Sequence, residues 1–225
     1  PGATQGRIYN AGEIKVSGLA ALLSHDVENV GIIRAQVATV LIGSNPTWVL
    51  DAFGDDTINF AVSDELLQRK ATVSNSGEIY ADGGRVFLSV DQANEVVENA
   101  INLSGIVRAD SVEMQNGIIV LSAGKNSIVN VTGELTATGL EGEQSGGLIS
   151  VLGDFVTVLD DARIDVSGMS EGGEILVGGD YQGQGFLPTA TNTYIDINAD
   201  LTADSYAGDA GRIIVWADDD TQFHG

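Results

Sequence analysis

The chain has 225 residues, with 32 acidic and 10 basic side chains, so its formal net charge at pH 7 is −22. Such a surface repels phosphate groups, which argues against nucleic acid and anionic membranes as partners. The absence of cysteine excludes disulfides and thiolate metal sites, and no stretch approaches the roughly 20 apolar residues that a membrane helix needs.

Short phrases that begin with Gly, or with Ala near the C-terminus, recur along the chain and alternate apolar with polar residues. Alternation with a period of two is typical of β-strands. The first type of phrase occupies residues 12–18, 31–36, 77–83, 105–110, 133–139, 162–168 and 199–205. The second type follows it at residues 84–90, 117–124, 147–154, 173–180 and 211–218.

The phrases of the first type repeat about every 28 residues in the middle of the chain. A fixed period of this length indicates one supersecondary unit stacked on copies of itself. The sequence therefore predicts an all-β solenoid, a parallel β-helix of roughly seven or eight circuits with two clear strands in each. Val, Ile, Leu and Ala fill its core, and residues 1–225 form a single domain.

Three segments interrupt this rhythm and predict short helical or loop insertions. Residues 65–70 favour a short helix capped by Asp64, and residues 91–100 favour another. Residues 181–194 predict a protruding loop, and insertions in solenoids often carry the binding face. Aromatic rings among Gly, Gln, Thr and Asn suit stacking on sugars. The candidate ligand-binding residues are Tyr181, Phe186 and Tyr194.

The ordered series of phrases resembles the large exoproteins of two-partner secretion systems, the filamentous haemagglutinin-like adhesins of Gram-negative bacteria. The resemblance covers residues 6–44, 50–62, 75–112 and 172–225. It implies a right-handed parallel β-helix, exported through an outer-membrane barrel transporter and secreted or displayed on the cell surface.

The family's secretion domain carries an Asn-Pro-Asn-Gly-Ile type of motif, whereas this chain has Asn45 and Pro46 followed by Thr47 and Trp48. We therefore expect a segment downstream of the secretion domain, a fragment of a larger exoprotein, with the transporter engaged by regions outside this chain. We also expect a monomer.

Parallel β-helices also include polysaccharide-cleaving enzymes, so catalysis is the alternative. The Gly-Asp-Asp step of pectin hydrolases matches residues 54–56, but their Gly-His-Gly and Arg-x-Lys steps are missing. His25 and His224 lie in no catalytic motif, and the basic residues are scattered singly. Residues 54–56 and the pair Asp160 and Asp161 are best interpreted as turns. The sequence thus favours a protein that is not an enzyme.

No cofactor is predicted, although a structural Ca²⁺ ion remains an alternative. Asp154, Asp180 and Asp218 each end a phrase of the second type, and stacking would align them in an acidic column. Hard cations take oxygen ligands of this kind. The other interpretation is a solvated acidic edge that discourages strand association. Trp216 occupies an outward or corner position, where it would cover a loop or a groove.

These observations predict a structural or adhesive segment of a bacterial surface adhesin. A stiff rod would present loops to cells, glycans or a polysaccharide matrix, and repeated weak contacts would combine into avidity. The alternatives are a spacer that binds nothing and a polysaccharide-active enzyme resembling a pectinase or a lyase.

Overall fold

The computed structural model describes residues 6–44, 47–50, 58–61, 72–90 and 97–224. The strands are β1 (Arg7–Asn10), β2 (Glu13–Val16), β3 (Leu19–Leu23), β4 (Asp26–Asn29), β5 (Ile32–Ala35), β6 (Thr39–Ser44), β7 (Thr47–Leu50), β8 (Ile58–Ala61), β9 (Thr72–Asn75), β10 (Glu78–Tyr80), β11 (Arg85–Val90), β12 (Val97–Leu103), β13 (Ile106–Arg108), β14 (Ile118–Ala123), β15 (Ser127–Val131), β16 (Glu134–Thr136), β17 (Leu148–Leu152), β18 (Phe155–Val158), β19 (Arg163–Asp165), β20 (Glu174–Val177), β21 (Asn192–Ile195), β22 (Asp200–Thr202), β23 (Arg212–Val215) and β24 (Asp220–Phe223).

All but two of these strands form three parallel sheets that the chain visits in turn. Sheet 1 has the order β1-β4-β9-β12-β15-β18-β21-β24, sheet 2 the order β2-β5-β10-β13-β16-β19-β22, and sheet 3 the order β3-β6-β11-β14-β17-β20-β23. Within the described residues the chain therefore completes seven three-stranded coils and begins an eighth. This confirms the predicted parallel β-helix.

The core consists of aliphatic columns that run through the stacked coils. In sheet 2, Ile33, Ile79, Val107, Leu135 and Ile164 stand in register and are fully buried. Neighbouring positions in each strand point outward, which explains the alternation seen in the sequence. Each buried Val, Leu or Ile side chain contributes about 1.5–3 kcal/mol through removal from water.

Glycine opens the phrases of the first type because the chain turns there with its backbones in close contact. A Cβ atom on Gly77 would lie 2.1 Å from the carbonyl oxygen of Gly31 in the coil below. A Cβ atom on Gly105 would likewise lie 2.1 Å from the carbonyl oxygen of Gly77. No side chain fits between backbones this close, so Gly marks the entry to sheet 2 up to the coil of Gly133, and Ala162 and Ala199 take this position in the next two coils.

The prediction of two clear strands in each circuit was incomplete, because each coil has three. The phrases of the first type form sheet 2 and those of the second type form sheet 3. The strands of sheet 1, such as Phe155–Val158, follow corners with no regular Gly. The strands of sheet 1 therefore lacked the Gly signal that identified the strands of sheets 2 and 3.

The second predicted helix, at residues 91–100, is wrong where it can be compared with the structure. Residues 97–100 belong to β12, in which Ala100, Ile101 and Leu103 are fully buried. Pairing of β12 with both neighbouring strands overrides the local helix preference. Residues 91–96, the predicted helix at 65–70, the Gly-Asp-Asp step at 54–56, and Asn45 with Pro46 lie outside the described residues.

A small antiparallel sheet pairs β7 with β8, and Trp48 stands opposite Phe60 in its register. In the described part of the chain, no helix has the length and apolar character needed to cross a membrane.

Candidate functional site

A groove follows the corner at which the strands of sheet 3 end, over five successive coils from β11 to β23. Coils of a parallel β-helix are spaced by about 4.8 Å, which makes the groove roughly 20 Å long. Its volume is about 880 Å³. We call it the corner groove, and its polar lining includes Ser122, Lys125, Asn126, Asp154, Thr191 and Asp218.

The loop of residues 178–191, which joins β20 to β21, forms one wall of the corner groove. It begins with a 3₁₀ helix at Tyr181–Gly183, whose first backbone N–H donates to the carboxylate of Asp180. Gly183 has a φ of +62°, and a Cβ there would lie 2.9 Å from Nε1 of Trp216. The loop backbone thus rests on the indole ring, in agreement with the predicted role of Trp216 in covering a loop.

Two carboxylates fix the base of this loop. Trp216 Nε1 and Thr189 Oγ1 donate to the two oxygens of Asp218, at 3.0 and 2.7 Å. Thr191 Oγ1 donates to Asp154, which also accepts the backbone N–H of Asn126 at 2.8 Å. The hydrogen bonds from Thr189 and Trp216 lower the pKa of the Asp218 carboxyl, so it is ionised at neutral pH.

The three carboxylates of the predicted acidic column form hydrogen bonds within the protein. Asp154 and Asp218 accept hydrogen bonds from different parts of the loop, and Asp180 caps the 3₁₀ helix. No group of three or more His, Cys, Asp or Glu residues in the described ranges is arranged to hold a metal ion. Asp160 and Asp161 lie in a turn before β19, as predicted, with Asp160 at a φ of +56°.

The structure places two of the three predicted aromatic residues on the loop. Tyr181 is 60% exposed and Phe186 is fully exposed. Tyr194 lies instead in β21, because pairing with Phe155–Val158 starts that strand at Asn192. Its ring centroid lies 5.5 Å from that of His224, and its hydroxyl donates to Asp196. The assignment of Tyr194 to the protruding loop was therefore wrong.

A second cluster covers the outer surface of sheet 2. The ring of Tyr80 lies between the guanidinium groups of Arg34 and Arg108, each 4.7 Å from the ring centroid. Arg34 also pairs with Glu13 and Arg108 with Asp82. The hydrogen bond from Tyr80 to Glu78, at 2.8 Å, raises the pKa of the tyrosine.

The cations of this cluster already have partners, so it holds three coils together and offers no open anion site. No local pattern predicts this cluster, because only the coiling of the chain brings these residues onto neighbouring strands.

No protein-family model matches the sequence, and no curated protein is significantly similar to it. A crystal structure of the HMW1 secretion domain from Haemophilus influenzae superimposes with a TM-score of 0.71 at 23% sequence identity. The match covers 97% of this chain and 63% of that one. This likeness establishes that the two proteins share a backbone fold.

Proposed function

We propose that this chain is a structural and adhesive segment of a secreted bacterial surface adhesin, related to the exoproteins of two-partner secretion. A stiff β-helical rod carries loops that contact cells, glycans or an extracellular matrix, and the segment catalyses no reaction. The observation that carries the proposal is the register of the three parallel sheets, which continues from coil to coil while loops of varied length leave the corners.

Export is the second part of the proposal. Regions outside this chain engage an outer-membrane barrel transporter, and the product is a monomer that is secreted or held at the surface of a Gram-negative bacterium. The shared fold with a secretion domain supports export. The formal charge of −22 supports a monomer, because like-charged rods repel one another. The position downstream of a secretion domain stays a prediction.

An adhesion assay tests the proposal. Fluorescent beads coated with the purified chain should adhere to epithelial cells or extracellular matrix in a saturable manner. Beads coated with an unrelated acidic protein of similar charge should not. Equal attachment of both kinds of bead would identify a spacer. Export is tested by deleting the transporter gene, which should move the protein from the culture medium or cell surface to the periplasm.

The enzyme alternative has its own readout. Pectin and alginate incubated with the chain, with and without Ca²⁺, should release no reducing or unsaturated ends. Release of either would replace the adhesive function with a catalytic one.

A further inference from the structure

We propose that the corner groove binds a neutral, hydroxyl-rich oligosaccharide that lies along the axis of the β-helix. This inference rests on the proposed adhesive function, because it names the ligand class and its site. The groove spans five coils, which gives a chain of several sugar units a continuous surface.

The floor of the groove is formed by small residues. Ser122, Ala123, Gly124 and Gly153 line it, and these small side chains leave room for a ligand beside the backbone. A floor of this kind differs from the apolar pockets in which protein partners anchor aromatic side chains. It suits a ligand that makes many hydrogen bonds over its whole length.

The walls offer both donors and acceptors. The oxygens of Asp154 and Asp218 each accept one bond from within the protein and keep a second lone pair for a ligand. Asn126 supplies a side-chain amide, and Lys125 is exposed at the same corner. Sugar hydroxyls donate and accept hydrogen bonds at once, so they match a mixed lining. Two carboxylates outnumber the single ammonium group, and the chain as a whole carries −22. This charge favours a neutral sugar over an acidic one.

The loop wall is organised before a ligand arrives. The bonds from Thr189 and Thr191 to Asp218 and Asp154 fix the loop base, and the indole of Trp216 supports the loop backbone at Gly183. A fixed wall loses little conformational entropy on binding. Phe186 and Tyr181 do not line the groove, but they are exposed on the loop that forms its wall. Their rings are free to stack on the apolar face of a sugar unit that extends past this wall.

The test uses neutral hexasaccharides of glucose, mannose and galactose, and a hexamer of galacturonic acid as the acidic comparison. The indole N–H resonance of Trp216 is the reporter, because this group donates to Asp218 in the groove. We expect at least one neutral hexasaccharide to shift this resonance in a saturable way, and the acidic hexamer to bind more weakly. No saturable shift with any neutral hexasaccharide, or tighter binding of the acidic hexamer, would overturn the proposal.

Two pairs of variants locate the site. Ser122→Leu fills the groove floor and should weaken binding at least about tenfold, whereas Ser74→Leu, on the outer surface of sheet 1, should leave it unchanged. Phe186→Ala should weaken binding about fivefold. Its control is Tyr206→Ala, which removes a 71% exposed ring from another loop. Equal affinities within both pairs would place the ligand elsewhere and overturn the proposal.

The outcomes separate this inference from the proposed function. If beads adhere while no hexasaccharide binds, the groove assignment fails and the adhesive function stands. If hexasaccharides bind the groove but beads do not adhere, the site stands and the adhesive function fails.

Discussion

The first three coils and the later coils fill the same core position in different ways. In sheet 1 the position is occupied in register by Asn10, Asn29 and Asn75. Aliphatic side chains follow from the fourth to the seventh coil, and they are Leu103, Val131, Val158 and Ile195. One backbone fold therefore accommodates a polar and an apolar column end to end.

The asparagines form a ladder of side-chain amides. Asn10 Nδ2 donates to Asn29 Oδ1 and Asn29 Nδ2 donates to Asn75 Oδ1, each at 2.7 Å. Asn29 and Asn75 are almost completely buried. Such amides depend on one another, because a buried group without its partner costs about 1–3 kcal/mol. The aliphatic column has no directional bonds, and its stability comes from removal of apolar surface from water. The ladder therefore specifies register, while the aliphatic column contributes burial.

The largest effect is expected where the apolar column begins. Leu103→Ala should lower the free energy of unfolding by about 3 kcal/mol, because it leaves a cavity in a fully buried position. Urea unfolding of the purified chain measures this loss. The control is Leu140→Ala, at a position that is 44% exposed, which should cost less than about 0.5 kcal/mol. Similar losses of unfolding free energy for both variants would show that burial of Leu103 in the aliphatic column does not stabilise the fold.

Asn29→Leu should break the polar ladder and cost about 2 kcal/mol, because the buried Asn75 loses its donor. The double variant Asn29→Leu/Asn75→Leu should cost less than this single one. The reason is that the double variant leaves no buried group without a partner. The side-chain amides of Asn29 and Asn75 also donate to the carbonyl groups of Gly31 and Gly77, and these carbonyl groups still accept the backbone N–H groups of Glu78 and Ile106.

Hydrogen exchange of the amides in β4 and β9, together with urea unfolding, measures both variants. Asn130→Leu, on the outer surface of sheet 1, is the matched control, because it removes one bond from Thr157 without leaving a buried amide unpaired. Additive losses in the double variant would show that the two amides act independently and that no ladder exists.

The outer surface of sheet 2 also divides, one coil further along the chain. Tyr80 lies between Arg34 and Arg108, whereas the following coils carry Thr136 and Asp165 at this position. Tyr80→Leu should cost about 1 kcal/mol through two lost cation–π contacts, and less in high salt. Tyr80→Phe keeps the ring and should retain most of the stability. Equal losses for both variants in urea unfolding would assign the effect to the hydroxyl group.

The sequence predicted those parts of the fold that depend on local constraints. Gly77 and its equivalents are required by backbone contact at a corner, so sheets 2 and 3 could be identified. Sheet 1 has no such marker, and its strands are set by pairing with neighbouring coils. The same pairing moved Tyr194 out of the predicted loop, while Tyr181 and Phe186 lie on it as expected. The corner groove could not be predicted, because it combines the strand ends of five coils.

The smallest effect is expected at Asp110, whose carboxylate accepts the backbone N–H and the hydroxyl of Thr138. Burial raises the pKa of Asp110 above its ordinary value of 3.8. Its protonated form is therefore favoured in the folded state. The stability that this preference contributes is complete below pH 3.8 and is lost as the pH rises through the higher folded pKa.

Asp110→Asn, which stays neutral, should remove this dependence. As the pH rises through the folded pKa of Asp110, the free energy of unfolding of the variant should rise relative to that of the parent chain. Above this pKa the difference between the two free energies should stay constant. The gain is small because water screens the partly exposed carboxylate and because its contact with Arg108, at 3.5 Å, is lost. Arg108 keeps its two hydrogen bonds to Asp82. Urea unfolding across the acidic pH range measures the difference, with Asp161→Asn on an exposed turn as the control for one lost charge. Parallel pH profiles for the Asp110 variant and the parent chain would show that burial does not disfavour this carboxylate.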